Sequence, residues 1–332
     1  MFTSGTTGAP RAVVHTRRSL GAALADAAVG FGVRPGHRVL TDQLMVGIPA
    51  LIAGAHWTLP GPGLDPGASP GRYLRHLRDA ELLFLVPAHL DAVLRAIEER
   101  PDLAPRALDT LVLGGAPVLA PLLRRARARF PDAAIRAVYG MTEILPVAIA
   151  DGAEKLVRDP SAGDWVGRVV PSVRARIEEG ELVLSGPGMA RGYLGEPALV
   201  ELRTGDLATL DGNELTLLGR AKDMFIRGTQ NIYPGLYEPV VAGLPGVADV
   251  ALTGLPDAIG DDRIVLLVVP HDPPTIPTAD HPVARRVAAA LPGLIDAGAL
   301  PDAVVAVPFI PRRGRTRKPD RAAIAELARS AT

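Results

Sequence analysis

The feature that most constrains the fold is an alternation of apolar segments with helical segments between residues 70 and 138. Short apolar runs predict buried strands, and longer segments with helical periodicity predict helices. The strands are expected at 82–86, 108–113 and 135–138, and the helices at 73–78, 88–100 and 121–130. Because strands that alternate with helices form parallel sheets with right-handed crossovers, we expect an α/β fold here.

Two of these strands end in loops of unusual composition. The residues of the two loops are Gly115, Ala116 and Pro117 in one and Tyr139, Gly140, Met141, Thr142 and Glu143 in the other. In parallel sheets, ligands gather beyond the carboxyl ends of the strands. We therefore expect the two loops to border a ligand site.

The flanking sequence predicts a different architecture on each side of this region. Upstream, Ser19 is expected to cap a helix over 19–30. Downstream, alternating segments joined by Glu179-Gly180 and by Asp211-Gly212 predict two β-hairpins. The last part mixes strands and helices again over roughly a hundred residues, the size of a small domain.

Three domains are therefore expected in an α/β chain. They are a parallel-sheet nucleotide-binding part over residues 1–150, an antiparallel β-rich subdomain over 151–220 and a small C-terminal α+β domain over 221–332.

The opening segment is rich in glycine and hydroxyl groups. Its residues are Thr3, Ser4, Gly5, Thr6, Thr7 and Gly8. Consecutive backbone N–H groups in a glycine-rich loop form a concavity that attracts phosphate oxygens, and hydroxyl groups add neutral donors. Composition alone leaves a flexible terminal tail equally open.

Composition excludes several classes of protein. Cysteine is absent, so disulfides, thiolate catalysis and cysteine-bound metals are ruled out. Basic and acidic residues balance at 36 each, which does not favour nucleic acid as the main partner. No uninterrupted apolar run reaches membrane-spanning length, so we expect no membrane span and a cytoplasmic location.

Lysine is unusually rare. Of the 36 basic residues, the lysines are Lys155, Lys222 and Lys318, and the rest are arginine. Lysine offers a compact, mobile ammonium where arginine offers a planar fork. Lysines kept in so arginine-rich a chain are therefore candidates for a reactive site.

The motifs together resemble the adenylate-forming enzymes, which include acyl-CoA synthetases, non-ribosomal peptide adenylation domains and insect luciferases. Eight segments match in the family's order over nearly the whole chain. They are 2–8, 114–117, 139–143, 192–193, 203–207, 219–223, 231–234 and 318–321. Against eight ordered matches, the tail interpretation of the opening segment is no longer favoured.

The resemblance implies a two-step reaction. A carboxylate attacks the α-phosphorus of ATP to give an acyl-adenylate and pyrophosphate. A thiol, that of coenzyme A or of a carrier phosphopantetheine, then displaces AMP. The opening loop, from Thr3 to Gly8, and a bound Mg²⁺ would hold the pyrophosphate charge.

The resemblance also implies a role for each nucleotide-site residue. Glu143 would bind Mg²⁺, Thr142 would hydrogen-bond the α-phosphate, and Tyr139 would stack on adenine, with Gly140 and Met141 in the same segment. The other wall of the adenine site would be Gly115, Ala116 and Pro117. Asp206 would accept the ribose hydroxyls, and Arg220 would anchor ribose and phosphate.

Two lysines fall on family positions. Lys318 would bridge the carboxylate and the α-phosphate during adenylation. Lys222 would be the hinge about which the C-terminal domain rotates between the two half-reactions.

The chain departs from the family in three places. Arg11 stands where the opening loop usually has a lysine. Segment 42–47, which aligns with the acyl pocket, lacks the frequent histidine or aromatic residue, so the acid cannot be identified. The family's long N-terminal, sheet-rich region is missing, which predicts an incomplete parallel sheet with an exposed apolar face or edge. Either a homodimer or partner chain covers that surface, or the start is misassigned.

Two branches of the family remain as alternatives. Segments 139–148 and 166–171 are similar to β-lactone synthetases of olefin biosynthesis, which cyclise a β-hydroxy acid. Segments 225–228 and 231–234 are similar to fatty acyl-CoA ligases. We favour the ligase interpretation, because its evidence lies in the domain that handles the second step. A catalytically impaired nucleotide-binding protein is the third alternative.

Overall fold

A computed structural model of the chain describes residues 1–3, 11–220, 223–227, 230–256, 262–313 and 317–332. The expected loop residues Ser4, Gly5, Thr6, Thr7 and Gly8 and the expected hinge Lys222 lie outside the described residues.

Helices are confined mostly to the first 130 residues and to the C-terminal part, with strands throughout. The strands are β1 (Phe2–Thr3), β2 (Arg11–Val14), β3 (Arg38–Leu40), β4 (His56–Thr58), β5 (Leu82–Leu85), β6 (Thr110–Gly114), β7 (Ala134–Met141), β8 (Ile144–Asp151), β9 (Asp164–Val169), β10 (Arg174–Glu178), β11 (Glu181–Ser185), β12 (Gly192–Tyr193), β13 (Leu202–Asp211), β14 (Glu214–Arg220), β15 (Phe225–Arg227), β16 (Gln230–Ile232), β17 (Val247–Pro256), β18 (Asp262–Pro270), β19 (Ala303–Ala306), β20 (Arg312–Arg313) and β21 (Lys318–Pro319). The α-helices are α1 (Arg17–Gly30), α2 (Leu44–Ile52), α3 (Pro70–Leu77), α4 (Pro87–Glu99), α5 (Ala120–Arg129), α6 (Gly152–Val157), α7 (Pro234–Ala242), α8 (Pro282–Ala290) and α9 (Arg321–Ala331).

The largest sheet among the described residues has eleven strands, in the order β10-β11-β13-β14-β9-β8-β7-β6-β5-β3-β4. From β4 to β7 the neighbours are parallel, as the alternation of strands and helices predicted. β6 is buried along its whole length, because helices cover both faces of a parallel sheet. Leu111 and Leu113 pack in the cluster under α3, α4 and α5, and Val112 packs on the opposite face with α1 and α2.

The sheet changes direction at the end of β7. Tyr139 and Met141 lie within this strand, and only Thr142 and Glu143 form the turn, whereas the sequence predicted a loop from Tyr139 onward. β8 then returns antiparallel to β7, with Tyr139 opposite Ala148. β8 was not predicted, because its apolar run contains a proline and does not alternate.

The antiparallel strands beyond β8 belong to this same sheet. The two predicted hairpins are present as β10–β11 and β13–β14. Glu179 and Gly180 both have positive φ, 53° and 82°, as a two-residue hairpin turn requires. The division at residue 150 stays a prediction, since hydrogen-bonded strands run continuously past it.

Helix α1 begins earlier than predicted. Thr16 is its N-cap: the Thr16 hydroxyl accepts from the Ser19 backbone, and the Ser19 hydroxyl accepts from the Thr16 backbone. Ser19 is therefore the third helical residue of a capping box, and the prediction that it caps the helix was wrong.

The C-terminal part is built on a second sheet, β17-β18-β19. The central strand β18 is buried over its last seven positions, because α7 and α8 cover one face and α9 covers the other. The mixture of strands and helices predicted for this part is present, whereas the hairpins β15–β16 and β20–β21 were not predicted.

No helix in the part of the chain described here combines the length and the apolar character needed to cross a bilayer.

The close packing of β8 against β9 requires glycine at position 167. Its φ is +97°, and a Cβ there would lie 2.1 Å from the Ile149 carbonyl oxygen. Gly195 has a similar φ of +82° with no atom within 4 Å of such a Cβ. Gly195→Ala should lower the free energy of unfolding by roughly 1–2 kcal/mol from backbone strain alone. Gly167→Ala should lower it by more than about 3 kcal/mol, because it adds a backbone clash.

Urea denaturation of both variants measures the difference. Equal losses in the two variants would show that the β8–β9 junction yields to an added methyl group.

Candidate active site

The two predicted strand-end segments lie at the same edge of the sheet. Gly115, Ala116 and Pro117 directly follow β6, and the Thr142–Glu143 turn directly follows the neighbouring strand β7. Gly115 and Pro117 are exposed, so the surface beside the turn is open to a ligand. This is the edge at which ligands bind in sheets of this kind.

A small sheet of β1, β2 and β12 lies at this edge. β1 pairs with β2, with Thr3 opposite Arg11, and β12 pairs with the other side of β2, with Tyr193 opposite Val13. Residues 4–10 connect β1 to β2, so the ends of the expected phosphate loop are fixed in a β-hairpin. The opening residues therefore have a supporting strand, although it is only Phe2–Thr3.

Glu143 is held by the β1–β2–β12 sheet. Its carboxylate is buried, and Oε1 accepts a hydrogen bond of 2.8 Å from the Tyr193 hydroxyl. Its backbone carbonyl accepts from the amide of Ala190 at 2.7 Å. Burial, followed by the bond to the Glu143 carboxylate, raises the pKa of Tyr193 to about 12. The tyrosine is therefore a protonated donor at neutral pH, and the carboxylate has a defined orientation.

Arg11 links the hairpin to the same tyrosine. Its guanidinium lies 3.4 Å from the centre of the Tyr193 ring and donates to both carboxylate oxygens of Glu196 at 2.7 Å. The bonds to Glu196 both come from Nη2, but stacking on the ring face uses the planar guanidinium, which lysine lacks. The arginine at this position therefore makes contacts that the family's usual lysine could not reproduce.

His15 connects the hairpin to the turn, a role that no sequence motif indicated. Its Nε2 lies 2.8 Å from the Thr142 carbonyl oxygen, and its Nδ1 lies 3.3 Å from the Ser19 hydroxyl. Because a carbonyl can only accept, Nε2 carries the proton and Nδ1 accepts. The Thr142 backbone is thereby fixed against β2 and α1.

Asp206 is the centre of a second cluster. Its side chain is buried, and Oδ2 accepts a 2.6 Å hydrogen bond from the Tyr139 hydroxyl. Arg220 lies opposite Asp206 in the β13–β14 register, and its Nε is 2.6 Å from Oδ1. Tyr139 thus directs its hydroxyl at the carboxylate that the sequence assigned to ribose.

The contact between Tyr139 and Asp206 requires a curved sheet. β7 and β13 are separated by β8, β9 and β14 in the strand order. Four strand spacings would place them roughly 19 Å apart in a flat sheet, far beyond the reach of one side chain. The antiparallel half must therefore curl so that β13 approaches the end of β7.

Burial raises the pKa of Asp206 above its ordinary value, and the neighbouring charges and donors oppose this shift. They are Arg220, Tyr139 and Lys318. Lys318 lies on β21 and is exposed, and its charge acts on the buried carboxylate from the C-terminal part of the chain. The structure therefore brings Lys318 into the electrostatic range of the Asp206 cluster.

The donor set fits a magnesium ion only in part. Among the described residues, no group of three or more His, Cys, Asp or Glu side chains could hold a metal. Mg²⁺ commonly uses one or two carboxylates together with substrate phosphates and water. Glu143, a buried hard-oxygen donor beside the hairpin that carries the opening loop, fits that mode of binding.

Comparison with known proteins shows the family to which the chain belongs. Residues 1–194 match the family model described as AMP-binding enzyme. Because this match covers more than half of the 332 residues, the chain belongs to the AMP-binding enzyme family.

Two curated relatives are similar in sequence. Feruloyl-CoA synthase from Amycolatopsis sp is 33% identical over 305 residues, which cover 82% of this chain and 59% of the relative. Long-chain-fatty-acid–CoA ligase FadD13 from Mycobacterium tuberculosis (strain ATCC 25618 / H37Rv) is 30% identical over 288 residues, which cover 81% and 57%. The chain thus spans a little under three fifths of the length of these relatives.

Two solved structures are similar in fold. The amide bond synthetase McbA from Marinactinospora thermotolerans has a TM-score of 0.80 at 24% identity, covering 98% of this chain and 68% of that one. ATP-bound MatB from Rhodopseudomonas palustris has a TM-score of 0.79 at 24% identity, covering 98% and 67%. The α/β fold predicted from the sequence is thereby confirmed.

The Asp206 cluster predicts a pH-dependent cost to stability. The pKa of Asp206 is higher in the folded chain than in the unfolded chain, where it is near 3.8. The protonated side chain therefore stabilises the folded state below pH 3.8, and this stabilisation is lost as the pH rises through the folded pKa. Asp206→Asn cannot ionise. The free energy of unfolding of the variant should therefore rise relative to wild type over a range of pH that begins near 3.8.

Urea titrations across this range give the difference directly. Asp211→Asn, an exposed change on the same strand, is the control for net charge. A difference between wild type and Asp206→Asn that does not vary with pH would contradict the assigned burial cost.

Proposed function

We propose that this chain is an AMP-forming acid–thiol ligase. It uses ATP to activate a carboxylic acid, of the fatty or another acyl class, as an acyl-adenylate and then passes the acyl group to a thiol. The observation that supports the proposal is the buried Asp206–Arg220 pair, which the Tyr139 hydroxyl joins to the end of β7 and on which the charge of Lys318 also acts. Relatives named as a feruloyl-CoA synthase and a long-chain-fatty-acid–CoA ligase support it.

In the first step, a carboxylate oxygen forms a bond to the α-phosphorus and the bond to pyrophosphate breaks. Lys318 supplies a compact positive charge to the carboxylate and the α-phosphate, and Thr142 donates to the same phosphate. The segment from Thr3 through Ser4, Gly5, Thr6 and Thr7 to Gly8 holds the departing pyrophosphate. When bound through Glu143, Mg²⁺ would neutralise phosphate charge.

Separate groups of residues hold the ribose and the adenine of the nucleotide. Asp206 accepts hydrogen bonds from the ribose hydroxyls, and Arg220, Tyr139 and Lys318 favour its charged form against the burial that raises its pKa. Tyr139, Gly140 and Met141 form one wall of the adenine site, and the other wall is formed by Gly115, Ala116 and Pro117. The exposure of Gly115 and Pro117 supports this placement.

In the second step, a thiolate sulfur forms a bond to the acyl carbon and the bond to AMP breaks. The thiol belongs to coenzyme A or to the phosphopantetheine of a carrier protein. Rotation about Lys222 withdraws Lys318 and opens the site for the thiol.

The proposal includes a partner surface and a location. Leu44, Leu51 and Ile52 of α2 and Leu59 beyond β4 are each at least 55% exposed, at the β4 edge of the large sheet. A homodimer or a partner chain would cover these side chains. The proposed location is the cytoplasm.

Formation of a β-lactone is not favoured. The relatives described above are named as a feruloyl-CoA synthase and a long-chain-fatty-acid–CoA ligase. A protein that only binds nucleotide is an outcome of the experiment that follows.

Lys318→Ala tests the proposal. Carboxylate-dependent exchange of pyrophosphate into ATP should fall by roughly a hundredfold or more, because a charge aimed at the transition state is removed. ATP binding, measured by calorimetry, should persist. Arg313→Ala is the matched control, since Arg313 lies opposite Lys318 in the same hairpin and is also exposed.

Full exchange activity in Lys318→Ala would contradict the assigned role. ATP binding by the wild type without exchange for any of a broad panel of acids would favour the nucleotide-binding alternative.

Glu143→Gln tests the proposed metal ligand. The amide keeps the size of the side chain and the bond from Tyr193 but loses the negative charge. The Mg²⁺ concentration needed for half-maximal exchange should rise about tenfold or more, with a smaller effect on the KM of the acid. Binding of Mn²⁺ with ATP, followed by electron paramagnetic resonance, gives a readout independent of turnover. Unchanged metal dependence in both measurements would exclude Glu143 as a ligand.

A further inference from the structure

Lys318 is carried by an unusually short element. The β20–β21 hairpin has two residues in each strand, with Arg313 opposite Lys318 and Arg312 opposite Pro319. Such a hairpin is at best marginally stable by itself. The direction in which Lys318 points must therefore be set by contacts that the hairpin makes with the rest of the C-terminal part.

Arg312 makes the contacts that fix the hairpin to the second sheet. Its Nη2 donates to both carboxylate oxygens of Asp249, on β17, at 2.8 and 2.7 Å. Its Nη1 donates to the carbonyl oxygen of Arg317 at 3.0 Å. One guanidinium thus joins the sheet to the residue directly before Lys318. This double contact needs the several fixed donors of arginine.

The residue held in this way has a strained backbone. Arg317 has a φ of +53°, a left-handed conformation that side-chain-bearing residues rarely adopt. Such a conformation persists where surrounding contacts impose it. The bond from Arg312 to the Arg317 carbonyl is a contact of this kind, and it acts one peptide unit from Lys318.

The chain beyond Lys318 has a separate anchor. Arg321, at the start of α9, pairs with Glu238 of α7 at 2.6 and 3.0 Å. The N-cap Asp320 accepts from the Ala323 amide. Loss of Arg312 therefore leaves α9 attached, and its effect should be confined to the hairpin.

We propose that Arg312 is a positioning residue for Lys318. It ties Asp249 to the left-handed Arg317 and so holds the lysine in the direction required for adenylation. The proposal rests on the proposed function for the role of Lys318. Arg312 acts through the lysine and makes no contact of its own with the nucleotide.

The test separates the two half-reactions in Arg312→Ala. Pyrophosphate exchange should fall by roughly ten- to a hundredfold, because a misplaced catalytic group loses most of its effect. Formation of thioester from chemically synthesised acyl-adenylate and coenzyme A should be unchanged, since that step does not use Lys318. Arg312→Lys should give an intermediate rate, because the lysine ammonium can pair with Asp249 but cannot also bind the carbonyl oxygen of Arg317.

Arg285→Ala is the matched control. This variant also removes an arginine that is paired with an aspartate, Asp280, in the C-terminal part. The side chains of Arg285 and Asp280 are both largely exposed. Neither half-reaction should change in this variant. Equal losses of both half-reactions in Arg312→Ala would show a general structural role and overturn the proposal, as would unchanged exchange.

A second measurement does not depend on activity. Amide hydrogen exchange at the hairpin residues 312–313 and 317–320 should be faster in Arg312→Ala than in wild type and unchanged in Arg285→Ala. Protection equal to wild type in Arg312→Ala would overturn the proposal. Wild-type protein without pyrophosphate exchange would instead count against the proposed function, while this measurement would still test the contact.

Discussion

The site depends on one buried carboxylate. Transferring Asp206 from water to the interior costs free energy, and the cost is bearable only because charged and hydrogen-bonding partners converge on it. Tyr139 comes from the end of the parallel sheet, Arg220 from the neighbouring antiparallel strand and Lys318 from the C-terminal part. Contacts with this single group therefore tie together two strands that are far apart in the sequence, and Lys318 acts on it through its charge.

A second junction supports the first. Arg11, Tyr193 and Glu143 form a chain of contacts from the amino-terminal hairpin to the turn after β7. His15 adds a bond from the hairpin to the backbone of Thr142. The first junction holds Tyr139 within β7, and the second holds Thr142 and Glu143 in the turn that follows, so both fix the end of the same strand. A rigid turn suits a site that must place several groups around one phosphorus atom.

The sequence predicted the parts of this fold that depend on local pattern. The parallel strands are nearly continuous apolar runs, and the hairpin turns lie at Glu179-Gly180, as predicted, and at Gly212-Asn213, one residue beyond the predicted Asp211-Gly212. Both kinds of element were therefore recognisable. β8 was missed because its apolar run contains a proline. The curvature that brings Tyr139 to Asp206 has no local signature, since it arises from the pairing of strands distant in sequence.

The candidate site was predictable to a similar degree. Matches to family motifs indicated which residues to consider, but not that Tyr193 binds Glu143 or that Arg11 stacks on Tyr193. The scarcity of lysine was a partial guide: Lys155 is buried in an ion pair with Asp164, whereas Lys318 is exposed near Asp206.

The central claim is that a carboxylate oxygen attacks the α-phosphorus of ATP at this site. Incubation with ATP, coenzyme A and an acid labelled with ¹⁸O in both carboxylate oxygens, beginning with ferulate, tests it directly by mass spectrometry of the nucleotide product. Attack at the α-phosphorus followed by cleavage of the acyl–oxygen bond predicts AMP that carries one ¹⁸O atom. Labelled inorganic phosphate with unlabelled nucleotide would contradict the claim, because the acid would then have attacked the terminal phosphorus.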